Sequence, residues 1–394
     1  MLNKRVIAWS LYDFANTAFS ALFITFFFPI LIKTHLGGNE FQIGLVMSLS
    51  FLVAALQVPF LGAWADATGR KLPIIFVATT ANVVLTAITP YAQLRWALIF
   101  GFFANVFYLI SLSIYNAQLV DIAGERERGR VSGLGVAIGY LGTIASLAVA
   151  YPLLNDIKSV FLAIAIFFFI FSLPLFIFLK DKKTTGIKWG ENIKKAAVSV
   201  KYTIVRMKEF PGLGSFLAGS FFYNNAMNTI IIFLSLFATT VIGLSIRDFF
   251  FVFALLAVGA FAGAMIAGYF SDKIGPVKML TVALLIWMAV VSFFILFTQS
   301  LTSFLVAGLV GGGVLGAVWT GNRHLVTKLA PSHKVAEIFG FEGLTERFSG
   351  VLGPLLFGYL VTVFGNYNYG LISLLIFFII GLIFLNNVNR NIKK

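Results

Sequence analysis

Cysteine is absent from this chain of 394 residues, and charged side chains are scarce. The missing cysteine excludes disulfides, thiolate metal sites and cysteine nucleophiles. Charged residues make up 11% of the chain and hydrophobic residues 59%, whereas a soluble domain is roughly a quarter charged. We therefore expect a polytopic membrane protein. At about 20 residues per span, it has room for twelve helices and for no sizeable domain outside the membrane.

Histidine is scarce as well, and the three present (His35, His324 and His333) lie in or near predicted connections between spans. No His/Glu metal spacing and no Ser–His pair occurs within a span, and the chain has no Walker-type phosphate loop. These absences argue against a membrane enzyme and against an ATP-driven pump. We expect no bound metal and no cofactor.

Acidic residues are fewer than basic ones, 15 against 29, which gives a net charge of +14. We predict spans over residues 6–32, 41–64, 72–92, 96–121, 131–153, 159–179, 213–242, 248–269, 277–298, 302–325, 338–364 and 368–386. With these spans, 24 of the 29 Lys and Arg residues lie on the side of the two termini. This positive-inside asymmetry predicts cytoplasmic termini, with the chain in a prokaryotic inner or plasma membrane. The basic balance then reports topology rather than nucleic-acid binding.

One loop sequence occurs twice at a constant offset. Gly62–Ala–Trp–Ala–Asp66–Ala–Thr–Gly69–Arg70–Lys71 is followed 206 residues later by Gly268–Tyr–Phe–Ser–Asp272–Lys–Ile–Gly275. The offset predicts two similar six-helix halves, residues 1–180 and 213–394, joined by a cytoplasmic linker over residues 181–212.

Residues 180–211 hold nine basic residues, and the apolar residues of this stretch fall on one helical face. This pattern predicts an amphipathic helix on the inner leaflet, where anionic lipids would attract its lysines. The alternative is a loosely ordered linker.

Polar residues cluster in the leading helix of each half. The segment Tyr12–Asp13–Phe14–Ala15–Asn16–Thr17 is similar to Tyr223–Asn224–Asn225–Ala226–Met227–Asn228–Thr229, with one residue inserted. Polar groups that face lipid are costly, so we expect these two clusters to face a shared central site.

Parallel repeats of this kind, together with the loop motif at Gly62–Lys71, resemble the major facilitator superfamily. Within that superfamily, the string Trp9–Ser–Leu–Tyr12–Asp13–Phe14–Ala15–Asn16–Thr17–Ala18–Phe19 looks like the vacuole-effluxer family, whose fungal members are autophagy-related. Tyr115–Asn116–Ala–Gln–Leu–Val–Asp121, Glu127–Arg128–Gly129–Arg130–Val–Ser132–Gly133 and Gly353–Pro354–Leu–Leu–Phe–Gly358 extend the likeness. The chain departs from the family at Trp319–His324, which lacks a serine-rich setting, and in the added charges of helix 11.

The resemblance implies a specific fold and activity. The fold is all-α, with 12 transmembrane helices in two pseudo-symmetric six-helix halves. The activity is secondary active transport of small polar solutes, amino acids or similar, by alternating access, in the form of proton-coupled efflux. We expect a monomer whose partners are a small-molecule substrate, protons and membrane lipids. Movement of lipid, lysolipid or another amphiphile by the same fold is the alternative, as is a non-transporting membrane sensor.

Two groups of charged residues are candidates for substrate or proton binding. Asp13, with Tyr12 and Asn16 beside it, is either a proton-coupling or ammonium-binding site or a structural hydrogen-bond anchor. In helix 11, Glu342 and Glu346 lie one turn apart on one face, next to Arg347. This trio either binds substrate or protons, or forms a gate or structural network.

Two polar stripes are further candidates for lining the cavity. The sequence places Asn105, Tyr108, Tyr115 and Asn116 on helix 4 and Tyr223, Asn224 and Asn228 on helix 7. Phenol and amide groups suit small polar solutes. Ordinary hydrogen bonding between helices is the alternative explanation.

The loop motifs have a predicted gating role. Gly62 and Gly69 are expected to permit close approach and a tight turn, while Asp66 faces a helix terminus and Arg70 and Lys71 supply countercharge. The resemblance implies a latch that favours the outward-open state, with Asp121 and Arg130 as partners and Asp272 in a weaker second copy. In helix 5, one face of Gly135, Gly139, Gly142 and Ser146 predicts a close contact between the halves.

Overall fold

A computed structural model of the protein describes residues 4–123, 128–181, 210–297, 301–329 and 335–392. The predicted linker helix lies outside this part of the chain. All regular structure within the described residues is helical. This confirms the prediction of an all-α protein. Eleven of the described helices are long and apolar enough to cross a membrane, and the shorter apolar segment Ala137–Leu153 accompanies them.

The first half contains six long helices. They are α1 (Lys4–Phe19), α2 (Glu40–Thr68), α3 (Leu72–Ile88), α4 (Leu94–Asn116), α5 (Arg128–Ala150) and α6 (Ile157–Phe178). The second half contains six more. They are α7 (Leu213–Leu236), α8 (Ile246–Ile274), α9 (Pro276–Leu296), α10 (Leu301–Leu329), α11 (Val335–Phe364) and α12 (Tyr367–Ile392).

The helices group into two compact units. The first consists of Met1–Gly38 and Leu49–Tyr202, and the second of Asn39–Ser48 and Thr203–Lys394. The beginning of α2 therefore packs with the helices of the second unit, while the rest of α2 belongs to the first.

The 206-residue offset seen in the loop motif also appears in the backbone. Both α2 and α8 have 29 residues and start 206 positions apart. Before each of them the chain forms a π-helical turn, Leu31–His35 in the first half and Phe237–Val241 in the second. The left-handed glycines Gly37 and Gly243 keep the same offset, as do Gly69 and Gly275. The repeat thus extends from sequence to local geometry.

Helix α5 packs on α1 through its glycine face. A Cβ atom at Gly139 would lie 2.7 Å from Oγ1 of Thr17, and one at Gly142 would overlap the carbonyl of Phe14. The expected close contact is therefore present, but the expected partner is wrong. The glycines admit α1 of their own half, because the backbone of α1 lies where side chains would otherwise stand.

The side chain of Asn225 connects helices α7 and α11. The backbone N–H of Gly353 donates to Oδ1 of Asn225 at 2.7 Å, and the Asn225 Nδ2 donates to the Phe221 carbonyl at 2.8 Å. Pro354 lies inside α11 and has no N–H of its own. Asn225 thus satisfies a backbone donor next to the proline.

Candidate functional site

In the first unit, aromatic contacts fix α1 against α4. The rings of Trp9 and Tyr115 stack with centroids 4.7 Å apart, and Tyr12 stacks on Tyr115 at the same distance. The Tyr115 hydroxyl donates to the Trp9 carbonyl at 2.9 Å, while the Tyr12 hydroxyl lies 2.7 Å from Oγ1 of Thr79. Tyr12 and Tyr115 are fully buried, so both side chains have partners within the unit and hold its helices together.

Asp13 lies at the contact of α1 with α5. Its side chain is half-buried, and Asn16 Nδ2 lies 3.4 Å from its Oδ1. A Cβ atom at Gly135 would lie 3.1 Å from Asp13 Oδ2, so this glycine leaves room for the carboxylate. Asn16 is 2% exposed, and its Oδ1 has no hydrogen-bond partner among the described residues. The amide thus retains one free acceptor beside the carboxylate.

The predicted stripe on α4 is divided by the structure. Asn105 Nδ2 donates to Ser50 Oγ at 2.6 Å, and the Tyr108 ring lies 4.9 Å from that of Phe19. Both residues are buried in helix contacts. Asn116, at the end of α4, is exposed. These residues therefore do not share one environment.

In the second unit, α7 carries three of the predicted residues in different settings. The Tyr223 hydroxyl donates to Asn322 Oδ1 at 2.6 Å, and Asn228 Nδ2 lies 3.3 Å from Ser349 Oγ. Asn224 differs from them, because its side chain is 1% exposed and neither amide atom has a hydrogen-bond partner among the described residues. Asn322, on α10, was not predicted as a site residue. Its Oδ1 accepts from Tyr223, but its Nδ2 is buried and has no hydrogen-bond partner among the described residues.

The charged residues of α11 form a mixed cluster with α10. Glu342 and Glu346 interact electrostatically with Arg347 and with Arg323, which was not predicted as a site residue. None of these four forms an ion pair in the part of the chain that the structure describes. The cluster therefore holds two acidic and two basic side chains that interact with one another, so it presents charges of both signs. No group of three His, Cys, Asp or Glu suited to a metal occurs among the described residues.

The predicted gating loop is centred on Lys71. Its Nζ lies 2.7 Å from Asp121 Oδ2 and donates to the Ala117 carbonyl at 2.9 Å. Gly69 has φ +64°, as a tight turn requires, and Arg70 is exposed. A Cβ atom at Gly62 would meet nothing within 4 Å, so the close approach expected there is not seen. The side chains of the remaining predicted gating residues lie outside the described part; they are Asp66, Arg130 and Asp272.

Two acidic residues outside the prediction have specific partners. Asp181, just after α6, accepts hydrogen bonds from the backbone N–H groups of Lys71 and Leu72 at 3.0 and 3.1 Å. Glu40, at the start of α2, is 3% exposed and accepts from the Tyr367 hydroxyl at 2.7 Å. Neither belongs to a motif, and their partners lie 110 and 327 positions along the chain, so local patterns gave no signal.

Two compact helical units with repeated geometry, and polar residues buried in the leading helix of each, define a membrane carrier. The family profile of the Major Facilitator Superfamily matches residues 14–283 and 216–393, and the chain belongs to this superfamily. The predicted fold and the absence of an enzymatic role follow from that membership.

Similar proteins agree with this assignment. The chain is 25% identical to the uncharacterized MFS-type transporter YxiO of Bacillus subtilis, over 97% of this chain and 94% of YxiO. It is 22% identical to autophagy-related protein 22 of Eremothecium gossypii (98% and 91% covered). It is 25% identical to the multi-drug resistance efflux pump PmrA of Streptococcus pneumoniae (89% and 87%). The crystal structure of the nucleoside transporter NupG has the same fold, with a TM-score of 0.76 at 13% identity, over 98% of this chain and 99% of NupG. The resemblance to the major facilitator superfamily is confirmed, and autophagy-related protein 22 is among the similar proteins.

Proposed function

We propose that this transporter exports small polar solutes, amino acids or similar, and that protons drive the export. The observation that carries the proposal is the buried amide of Asn224, which has no described partner for either of its polar atoms. An unsatisfied buried polar group costs about 1–3 kcal/mol. A side chain that bears such a cost in the leading helix of the second half is well suited to receive a ligand that supplies both a donor and an acceptor.

Each unit by itself carries buried polar atoms that suit a solute with polar groups of both kinds. Asn16 in the first half offers an acceptor, and Asn322 in the second offers an amide nitrogen. The cluster of Glu342, Glu346, Arg323 and Arg347 adds both signs of charge. Amino and carboxyl groups match these features.

Proton coupling is assigned to the carboxylates inside the spans. A bare carboxylate within a membrane helix is costly, and the half-buried Asp13 lies on the same helix as the amide of Asn16. Protonation removes the negative charge of Asp13 during one half of the transport cycle. Glu342 and Glu346 are the corresponding groups in the second unit. The loop around Lys71 acts as the gate.

A second candidate function is the export of amphiphilic drugs, which the similarity to the multi-drug resistance efflux pump PmrA favours. The apolar surface of such a drug would leave both amide atoms of Asn224 and the Nδ2 of Asn322 without partners. Polar solutes and drugs therefore make opposite demands on the same two side chains.

The test is a thermal-stability screen of purified protein with amino acids, other small polar solutes and cationic dyes, at pH 5.5 and 7.5. A ligand at about 100 times its Kd stabilises the folded state by roughly 2.7 kcal/mol. We expect one polar class to raise the melting temperature of wild type but not of Asn224→Ala. The exposed Asn366→Ala is the matched control and should respond like wild type.

Flux measurements in liposomes then test coupling. With the solute identified, an imposed pH gradient should drive its uptake by wild type but not by Asp13→Asn, whereas exchange without a gradient should persist. Gradient-driven uptake that survives in Asp13→Asn would remove Asp13 from the proton pathway. Stabilisation by dyes alone would favour drug export.

A further inference from the structure

The start of α3 is capped by a residue far away in sequence. Lys71 precedes the helix and Leu72 begins it, and the side chain of Lys71 makes no capping hydrogen bond to the helix. The backbone N–H groups at a helix start have no partner within the helix. Asp181 supplies one, since its Oδ1 accepts from Lys71 N at 3.0 Å and from Leu72 N at 3.1 Å, while its Oδ2 lies 3.3 Å from Leu72 N.

The carboxylate has an electrostatic reason to be there. Helix N-termini carry partial positive charge, and a negative side chain beside them is stabilising. Hydrogen bonds from backbone N–H groups to a carboxylate are also stronger than those between neutral groups. Asp181 therefore ties the end of α6 to the start of α3 by a charge-assisted contact, across 110 residues of chain.

The residue that Asp181 holds by its backbone is the one that forms the gate contact by its side chain. Lys71 Nζ lies 2.7 Å from Asp121 Oδ2 and donates to the Ala117 carbonyl at 2.9 Å. Together, these contacts connect the end of α6, through Lys71, to the end of α4. A lysine side chain is flexible but has a limited reach, so a shift of its backbone changes whether Nζ can meet both acceptors at once.

We propose that Asp181 is a positioning residue of the gating loop, which sets the Lys71 backbone so that its side chain engages Asp121. The inference rests on the gating role proposed for Lys71. Loss of Asp181 should therefore weaken the latch as loss of Lys71 does, and it should act through Lys71.

The test uses spin labels at Lys4→Cys and Thr327→Cys, two exposed positions, one in each unit, in a chain that has no other cysteine. Pulsed electron resonance gives the distance distribution between them in lipid nanodiscs. Lys71→Ala should raise the long-distance population roughly fivefold or more, the lower range of a conformational coupling, and Asp181→Ala should do the same. Asp181→Asn keeps the accepting oxygen and should show a smaller change.

Controls separate positioning from general stabilisation. Asp156 caps the opposite end of α6, where it accepts from Lys158 N at 3.1 Å, so Asp156→Asn should leave the distances unchanged. The double variant Lys71→Ala/Asp181→Ala should shift no further than Lys71→Ala. A lower melting temperature of both Asp181 variants with wild-type distances would overturn the inference, as would additive shifts in the double variant. If Lys71→Ala itself changes nothing, the gating role fails instead.

Discussion

At the scale of single residues, buried polar side chains in this protein divide into two kinds. Tyr12, Tyr115, Tyr223 and Asn225 are fully buried, and each has a hydrogen-bond partner within its unit. Asn224 is buried without a described partner. The first kind stabilises contacts between helices, and the second is the one to which we assign ligand binding in our proposal. A sequence shows both kinds as the same polar residues in an apolar helix.

The contact between Asn225 and Gly353 gives a prediction for a buried polar side chain that has a hydrogen-bond partner. Asn225→Ala leaves the buried N–H of Gly353 without its acceptor, so we expect a loss of about 1–3 kcal/mol in the free energy of unfolding. Asn225→Asp keeps an oxygen at that position. Thermal unfolding in detergent measures both. Asn225→Ala with the stability of wild type would show that another group accepts this hydrogen bond.

The cap of α6 gives a pH prediction. The Ser159 hydroxyl and the Lys158 N–H donate to Asp156 and hold the pKa of its carboxyl below the usual 3.8. Because the folded pKa is lowered, the stabilisation is fully present above pH 3.8 and is lost as pH falls through the folded value. The melting temperature of wild type should exceed that of Asp156→Asn at neutral pH, and the two should converge under acid conditions. A difference independent of pH would exclude the carboxylate charge as its cause.

At the scale of elements, small residues decide which helices can touch. The glycine face of α5 was predicted from spacing alone, and the structure shows such a face in contact with α1. The helix that packs against this face was not predictable. A stripe of glycines indicates that the backbone of another helix approaches closely, but it does not indicate which helix. The predicted gating loop shows the same limit. Lys71 and Asp121 were both recognised in their motifs, but the cap from Asp181 depends on where α6 ends in three dimensions.

The α1–α5 contact predicts a contrast between two glycines. Gly142→Ala places a methyl group against the Phe14 carbonyl, whereas Gly62→Ala meets open space. Overpacking costs about 1–3 kcal/mol, so Gly142→Ala should lower the melting temperature and Gly62→Ala should not. Equal effects of the two substitutions would contradict a close contact at Gly142. Comparison of both proteins in one detergent is the measurement.

At the scale of the whole molecule, composition and the internal repeat were enough to predict the fold class. The apolar content predicted the helices, and the repeated loop motif predicted two halves. The superfamily profile matches residues in both halves. The candidate site was harder to predict from the sequence. Asn322 and Glu40 stand in no motif, and their importance depends on burial and on partners from other helices.

The basic residues predict the orientation of the chain. His35 and Lys273 are both exposed. His35 follows the first predicted span and Lys273 follows the eighth, so the two positions are expected on opposite sides of the membrane. With cytoplasmic termini, a membrane-impermeant maleimide should label His35→Cys in intact cells and Lys273→Cys only after permeabilisation. The native chain gives no background, since it lacks cysteine. Labelling in the reverse order would invert the proposed topology.

The paired π-helical turns carry information about ancestry. A π turn holds one residue more than the α-helical turn it replaces, and such a turn occurs at Leu31–His35 and again at Phe237–Val241. Two independent insertions would have had to arise at corresponding places, each followed by a left-handed glycine. The simplest history is a single insertion in an ancestral half-length chain before its gene was duplicated. The wide turn is then older than the two-unit carrier.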